Sequence, residues 1–255
     1  TSLKQIEVSP STISIIDSAF DFSSLEIPFT SINNINSIKK YQSINYIRIS
    51  NITTVPYNIF KSYKQLKKIK IPVSGIERYA IKESAFSYCS SLNHVLISSS
   101  ANISFIKKYP LITHITILPN KNNFISEKFF IGYNQLKEII IPEFVTIIKS
   151  LAFSNCVNLE KITDLSSVEF IQCSAFYKYT SLKSIKFTKI KTIDGNALYQ
   201  WASLKTIEFP HSLSKIDDEA FRKCTSLSNV NIPSTIRSID YLAFSECTSL
   251  KQITV

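Results

Sequence analysis

The sequence has no methionine, and only three glycines, three histidines and one tryptophan among its 255 residues. Glycine-rich phosphate loops and dinucleotide fingerprints need several closely spaced glycines, so a nucleotide cofactor is excluded and no other cofactor is predicted. No run of about 18 apolar residues occurs, so this segment is not expected to insert into a membrane. A chain that lacks methionine even at position 1 is predicted to be a fragment of a longer protein.

The residues that are abundant indicate a folded, basic chain. Hydrophobic residues make up 44% of the sequence, which is enough for a sizeable core. Lysine and arginine total 29 against 19 acidic residues, giving a net charge of +10. This balance favours partners with acidic surfaces.

An internal repeat runs through the whole chain. The segments Ser203–Pro210 and Ser226–Pro233 both follow the pattern S-L-x-x-I-x-I/F-P, and each is followed by I-x-x-x-A-F-x-x-C. The opening Leu or Ile can be traced from Leu3 to Leu250, which gives eleven complete repeats with a mean period of about 22.5 residues. We therefore predict one repeat domain over residues 1–255.

One column of the repeat accepts cysteine or a large aromatic residue. Three residues before the opening Leu or Ile, the sequence has Cys89, Cys156, Cys224, Cys247, Tyr41, Tyr63, Tyr109, Tyr133, Tyr179, Trp201 or, in the first repeat, Phe22. A disulfide or metal site needs thiolates and would not tolerate tyrosine in most rows. The column is therefore predicted to be a packing column, with no metal site.

Each repeat is predicted to form one strand and a short helical segment. The alternation in x-x-I-x-I is typical of a strand with one buried face, and the proline that follows would end it. The spacing in I-x-x-x-A-F-x-x-C suits one or two helical turns that bury Ala and Phe on one face. One repeat cannot bury its own apolar side, so stacked neighbours must form the core of this α/β repeat.

These motifs resemble the BspA-like leucine-rich repeat family of bacterial and protist surface proteins, over essentially the whole chain. The resemblance implies a right-handed solenoid of about 11 repeats of 22–23 residues, with a concave parallel sheet and short helical turns on the other side. It also implies a binding role, typically adhesion. Asp164 departs from the pattern at an inward strand position, and Leu165 is expected to replace it through a local shift.

The outward strand positions supply the candidate site. A basic cluster across four adjacent repeats is formed by Tyr46, Arg48, Lys68, Lys70, His94 and His114, with Leu96 and Ile140 as apolar neighbours. One interpretation is a binding patch for an acidic protein or glycan, and the other is an ordinary solvated strand face. His94 and His114 should stack about 5 Å apart, but two ligands make a weak metal site and none is predicted.

Other polar features have simpler interpretations. A ridge of lysines follows the opening Leu and is interpreted as solubility and edge protection: Lys4, Lys67, Lys137, Lys183, Lys205 and Lys251. Nucleic acid is disfavoured as a partner because most aromatic residues occupy buried columns. Asn51 and Asn102 begin sequons on predicted exposed turns and are glycosylation candidates.

No nucleophile–base set and no paired carboxylates in one column can be identified, so the chain is not expected to be an enzyme and no catalytic residue is assigned. The predicted function is a non-catalytic binding module, acting in cell-surface adhesion through protein or glycan recognition on the exposed sheet face. The predicted location is the cell surface or the secreted fraction. The alternative is a cytoplasmic scaffold that binds other proteins through the same face.

Overall fold

The computed structural model describes residues 27–29, 44–49, 54–55, 58, 60–61, 63–71, 80–81, 84–98, 103–119, 121–163 and 165–254, with 27–29, 49, 54–55 and 80–81 described by their backbone alone. The chain divides into two compact units, Thr1–Leu118 and Pro119–Val255. Each unit is a parallel β-solenoid, and the two are considered separately. A single repeat domain over 1–255 stays a prediction.

In the first unit, the long strands of successive repeats form a parallel sheet. Its order is β1–β2–β4–β6–β7, and the strands are β1 (Ile27–Phe29), β2 (Tyr46–Ile49), β4 (Lys68–Lys70), β6 (His94–Ser98) and β7 (His114–Leu118). A second, two-stranded parallel sheet joins β3 (Thr54–Val55) to β5 (Ala80–Ile81). A 3-10 helix covers Ser104–Lys108.

In the second unit, each repeat has one long and one two-residue strand. The long strands, here called primary strands, are β9 (Glu138–Ile140), β11 (Lys161–Thr163), β13 (Ser184–Lys186), β15 (Thr206–Glu208), β17 (Asn229–Asn231) and β19 (Gln252–Thr254). The secondary strands are β8 (Phe124–Ile125), β10 (Ile147–Ile148), β12 (Phe170–Ile171), β14 (Thr192–Ile193), β16 (Lys215–Ile216) and β18 (Ser238–Ile239). The secondary strands pair in chain order as one parallel sheet of six.

The strand pattern predicted from the alternation is confirmed in most of the described repeats. The exceptions include Leu96 in β6, an outward residue that is only 9% exposed, and Ile253 in β19, an inward residue that is 43% exposed. Ile69 and Ile139 are fully buried at the centres of β4 and β9, while the residues on either side of each are partly or fully exposed. Successive repeats align in the predicted register, for example Ile47 with Ile69. The number of complete repeats stays a prediction, because the first repeat lies outside the described residues.

The predicted helical turns are wrong for the repeats of the second unit, which have a chain of tight turns instead. Leu151 and Asn155 both have φ near +60°, at 59° and 58°. The N–H groups of Ala152 and Ser154 donate to carbonyls three residues earlier, at 3.2 Å each. The N–H groups of Leu151, Phe153 and Asn155 donate to the next repeat, at 2.8–3.2 Å.

This series of consecutive tight turns, called the turn chain below, is favoured because it connects neighbouring repeats. A helix would direct every N–H along its own axis, whereas the turn chain directs alternate N–H groups into the adjacent repeat. The left-handed φ at two positions per repeat costs about 1–2 kcal/mol each, and the hydrogen bonds between repeats offset it. The same pair of positive φ values occurs at Lys128/Gly132, Leu151/Asn155, Ser174/Lys178, Asn196/Gln200, Glu219/Lys223 and Leu242/Glu246.

The Ala-Phe column lies inward, as the spacing predicted, and its rings stack from one repeat to the next. Phe153 is fully buried, with ring centroids 5.2 Å from Phe130 and 5.1 Å from Phe176. Phe221 and Phe244 stack at 5.1 Å, nearly parallel. Close ring packing of this kind joins each repeat to its neighbours.

Asp164, the departure from the repeat pattern, lies outside the described residues. Leu165 is 5% exposed and therefore buried, whereas the local shift that would bring it into the place of Asp164 stays a prediction. Its carbonyl accepts a hydrogen bond from the N–H of Val168, as the carbonyl of Pro142 does from Val145 one repeat earlier. Leu165 thus occupies the position of the strand-ending proline.

Candidate functional site

The register of the first unit aligns the predicted site residues in two columns. Tyr46 pairs with Lys68, Lys68 with His94, and His94 with His114. In the second column Arg48 pairs with Lys70. The basic face patch is defined here as Tyr46, Arg48, Lys68, Lys70, His94 and His114. The predicted register through the irregular first half of the chain is therefore confirmed, whereas binding by the patch stays a prediction.

Side chains of the basic face patch contact one another. The Lys68 ammonium lies 5.8 Å from the centre of the Tyr46 ring, within cation–π range. The rings of His94 and His114 are 6.2 Å apart and inclined by 51°. All six side chains are half-buried, although they occupy outward positions of their strands.

The two histidines are held by threonine hydroxyls. His94 Nε2 shares a hydrogen bond of 2.8 Å with Thr116 Oγ1 on the neighbouring strand. His114 Nδ1 shares another, also of 2.8 Å, with Thr113 Oγ1. These bonds fix the orientation of each ring. Two imidazoles are fewer ligands than a zinc site normally has, so we assign no metal to the pair.

The two apolar neighbours of the patch differ. Leu96 is the register partner of Lys70 in the second column and is only 9% exposed, so it is buried although it occupies an outward position. Ile140 belongs to the second unit and is 38% exposed. The apolar contribution that can be assigned to the patch is therefore Leu96.

An acidic cluster in the second unit was not predicted. Carboxylate oxygens of Asp217, Asp218 and Asp240 all lie within 4.8 Å of one another. Lys215 Nζ is 3.4 Å from Asp217 and 3.1 Å from Asp240, and this contact holds the pKa of Asp240 below its ordinary value. Lys215 offsets part of the negative charge of the three carboxylates, so we assign no metal to the cluster.

Two tyrosines at the turn chain form another unpredicted feature. The rings of Tyr177 and Tyr199 stack at 5.0 Å with an angle of 9° between their planes. Lys178 Nζ lies 5.4 Å from the Tyr177 ring and Lys223 Nζ lies 5.7 Å from the Tyr199 ring. Each tyrosine directly follows the two inward residues of its repeat, Ala-Phe before Tyr177 and Ala-Leu before Tyr199. Aligning the repeats could therefore have identified the two tyrosines as neighbours.

The remaining sequence-based candidates are placed as follows. The described lysines of the ridge, Lys67, Lys137, Lys183, Lys205 and Lys251, are all exposed. Lys4 and the glycosylation candidates Asn51 and Asn102 lie outside the described residues. Within the part of the chain that the structure describes, no helix has the length and apolarity needed to cross a bilayer.

Comparison of the sequence with family models gives a match over the whole chain. The model described as "BspA type Leucine rich repeat region" matches in six copies, over residues 1–111, 105–224 and 191–255. No curated protein sequence matches the chain. The match agrees with the resemblance inferred from the repeat motifs.

Comparison with solved structures finds chains that are similar to this one. A leucine-rich repeat protein from Eubacterium ventriosum is 20% identical over 89% of this chain and 77% of its own, with a TM-score of 0.48. A leucine rich cell surface protein from Faecalibacterium prausnitzii is 18% identical over 100% of this chain and 88% of its own, with a TM-score of 0.35. TLR13, in its complex with ssRNA13, is 17% identical over 91% of this chain but only 35% of its own, with a TM-score of 0.54.

Proposed function

Since this chain belongs to the BspA type leucine-rich repeat family, we propose that it is a non-catalytic binding module that acts in adhesion at the cell surface. Proteins with stacked repeats generally use their extended sheet surfaces to bind partners. The basic face patch binds an acidic protein or an anionic glycan. The repeats around it serve to position its side chains.

The observation that carries this proposal is the absence of carboxylates from the patch. Among the described outward positions of β2, β4, β6 and β7, none is Asp or Glu. Outward positions of the second unit include carboxylates, since Glu138 lies 2.7 Å from Lys161 and Glu208 lies 3.3 Å from Lys186. A face whose described outward positions are basic, with no acidic side chain among them, is suited to attract an acidic partner.

The packing within the patch also supports binding. Its six side chains are half-buried, with Lys68 over the Tyr46 ring and the rings of His94 and His114 6.2 Å apart. The side chains of Lys186 and Glu208 on the second unit are 72% exposed. Ordering a flexible surface lysine or arginine on binding costs about 0.5–1.5 kcal/mol. Side chains that are already restrained lose less freedom, so the patch is partly preorganised.

The test is retention on immobilised heparin, as an anionic glycan, together with binding to an array of extracellular matrix proteins. The test variant combines Arg48→Glu, Lys68→Glu and Lys70→Glu. The control combines Lys183→Glu, Lys205→Glu and Lys251→Glu, which reverses three exposed lysines of the ridge. Each variant changes the net charge by three times −2, from +10 to +4, so the two differ only in where the charge is reversed.

The patch variant should elute from heparin at clearly lower salt than the control and should lose its array partners. Binding should weaken with salt, because charges more than about 8–10 Å apart are screened at physiological ionic strength. Equal losses in the two variants would show that net charge alone drives binding, and the patch would then have no special role.

The cell-surface location is tested separately. Glycopeptide mapping of the protein from its native source should find glycan on Asn51 or Asn102 if the chain follows a secretory route that glycosylates sequons. A protein found unmodified and inside the cell would favour the alternative, in which the same face serves an intracellular scaffold.

A further inference from the structure

The primary strands of the second unit are interrupted between β11 and β13. Within residues 121–163 and 165–254, β9 pairs with β11 and β13 pairs with β15, but β11 and β13 do not pair with each other. The secondary strands of the same two repeats remain paired, with Phe170 opposite Thr192. The two repeats are therefore joined at the secondary strands and open at the primary strands.

The opening exposes part of the apolar core. Ile162 and Leu182 are half-buried there, whereas Ile139, Leu159 and Leu204, at matching positions of other repeats, are fully buried. A cavity of about 280 Å³ occupies the space. It is lined by Ile162, Leu165, Ser166, Leu182, Ser184, Ile185, Lys186 and Thr188.

Hydroxyl groups bridge both ends of the opening and keep its rims in place. The Thr188 hydroxyl donates to the Ser166 carbonyl at 2.6 Å, just beyond the ends of the two strands. The Tyr179 hydroxyl donates to the Leu159 carbonyl, just before the strands begin. These two hydrogen bonds join the repeats on either side of the unpaired strand segments. They hold the rims of the opening in place.

We propose that this opening is a recognition site, separate from the basic face patch, for an extended segment of a partner protein that inserts one large apolar side chain next to a carboxylate. The cavity has the right volume, since an apolar cavity of about 150 Å³ already holds a benzene ring. Four aliphatic side chains line it, which suits an aromatic or leucine side chain.

The strand edges at the opening indicate that its ligand is a polypeptide. The edges of β11 and β13 that face the opening carry backbone groups with no ladder partner among the described strands. An extended segment can satisfy such groups with its own N–H and C=O groups, as in recognition by strand addition. A small molecule that filled the cavity would leave them unpaired.

The positive charge at the rim of the cavity favours a carboxylate on the partner segment. Lys186 lines the cavity and is paired with Glu208 at 3.3 Å, but both side chains are 72% exposed. Ion pairs this exposed contribute little to stability, so a partner carboxylate can replace Glu208 at small cost. Lys189 is exposed close by in the sequence and adds positive charge.

The experiment uses the full chain with labelled methyl groups and follows NMR shifts on titration with defined probes. The main probe is the peptide acetyl-Thr-Phe-Glu-Thr-amide. A glutamine version of it tests the carboxylate, and N-acetylphenylalanine amide tests the side chain without flanking backbone. The variant Ser184→Trp places a large ring on the rim, and Thr206→Trp is its control, since Thr206 is the register partner of Ser184 on the paired strand β15.

The peptide should shift the methyl groups of Ile162, Leu182 and Ile185, with a dissociation constant of about 1 mM or lower. Ser184→Trp should weaken binding about tenfold, and Thr206→Trp should leave it within about twofold. The glutamine peptide should bind more weakly, and the isolated phenylalanine amide more weakly still. Thermal melts of the two variants should agree, which would show that both fold.

Three results would overturn the proposal: no shift of these methyl groups with any probe, shifts located elsewhere, or equal weakening by the two tryptophan variants. Binding of phenylalanine amide as tight as that of the peptide would refute strand addition. None of these results depends on heparin binding by the basic face patch, so the two proposals can fail independently.

Discussion

The thiol of Cys156 donates a hydrogen bond to the backbone carbonyl of Phe130, 2.9 Å away in the preceding repeat. Cys89 and Cys247 do the same to Phe60 and Phe221, at 3.3 and 3.1 Å. Two other residues of this column are also donors, since the Tyr179 hydroxyl donates to the Leu159 carbonyl and the indole N–H of Trp201 donates to the Leu182 carbonyl at 2.8 Å. The column therefore accepts side chains that combine an apolar body with one donor, which explains why Cys, Tyr and Trp alternate there.

Replacing Cys156 by alanine should lower the free energy of unfolding by about 1–3 kcal/mol, because it removes a buried sulfur and its hydrogen bond. Cys173→Ala is the control, since Cys173 is exposed, and it should change stability by less than about 0.5 kcal/mol. Urea unfolding measures both. A similar loss in the two variants would mean that the column contributes no specific packing.

The five cysteines should react very differently with iodoacetamide. All are free thiols, four of them buried and Cys173 exposed. Mass spectrometry should find rapid alkylation of Cys173 alone in the native protein and of all five after denaturation. Fast alkylation of Cys224 or Cys247 in the native state would contradict their buried position.

Stability should fall at alkaline pH, and Cys89 should contribute to the fall. Burial raises the pKa of the Cys89 thiol from 9.0 to about 12. Below pH 9 both states carry the proton, whereas between pH 9 and 12 the unfolded chain loses it more readily, so the contribution of Cys89 to stability falls as pH rises. Cys89→Ala should be less stable at neutral pH but lose less stability over this range. Parallel curves for the two proteins would refute this linkage.

Phe153→Ala should cost about 3–5 kcal/mol, because it leaves a cavity between two stacked rings. Phe244→Ala should cost less, since Phe244 is only half-buried. Hydrogen exchange should increase in the repeats next to the substitution and less in distant ones, because contacts in a solenoid are between neighbours. A uniform increase throughout the second unit would indicate one cooperative core instead.

The sequence predicted the long strand of each repeat and its register because alternation with a period of two has one simple structural solution. It did not predict the two-residue secondary strands, which form a second sheet. Lys68 opposite His94 followed from aligning the opening Leu and Ile of each repeat, even where repeat lengths vary. The turn chain could not be predicted in this way. A helix and a chain of turns both place Ala152 and Phe153 inward, and they differ in backbone angles that side-chain spacing does not report.

The opening between β11 and β13 was also beyond the sequence pattern. The steps from Leu136 to Leu159 and from Leu159 to Leu182 are both 23 residues, so repeat length gives no sign of it. The sequence departs from the repeat pattern in this region at Asp164 and Leu165, and we interpret this departure as a local shift within one strand. Whether such a shift also separates two strands depends on side-chain packing in three dimensions, which no linear pattern contains.

The basic face patch should lower the free energy of unfolding. Arg48 and Lys70 are register partners on adjacent strands, so two positive charges lie directly opposite each other. Like charges in this arrangement destabilise a sheet by about 0.2–1 kcal/mol. Lys70→Gln should therefore raise the free energy of unfolding by that amount at low salt, and the gain should shrink as added salt screens the repulsion.

Lys186→Gln is the matched control, because Lys186 lies opposite Glu208 and is bonded to it. That substitution should leave stability unchanged or lower it slightly. If Lys70→Gln stabilises the protein and weakens its retention on heparin, then the same side chain opposes folding and favours binding, as expected of residues retained for function. A Lys70→Gln variant that was less stable than the wild type would show that the positive charges are structural, and the argument that the patch exists for a partner would lose its basis.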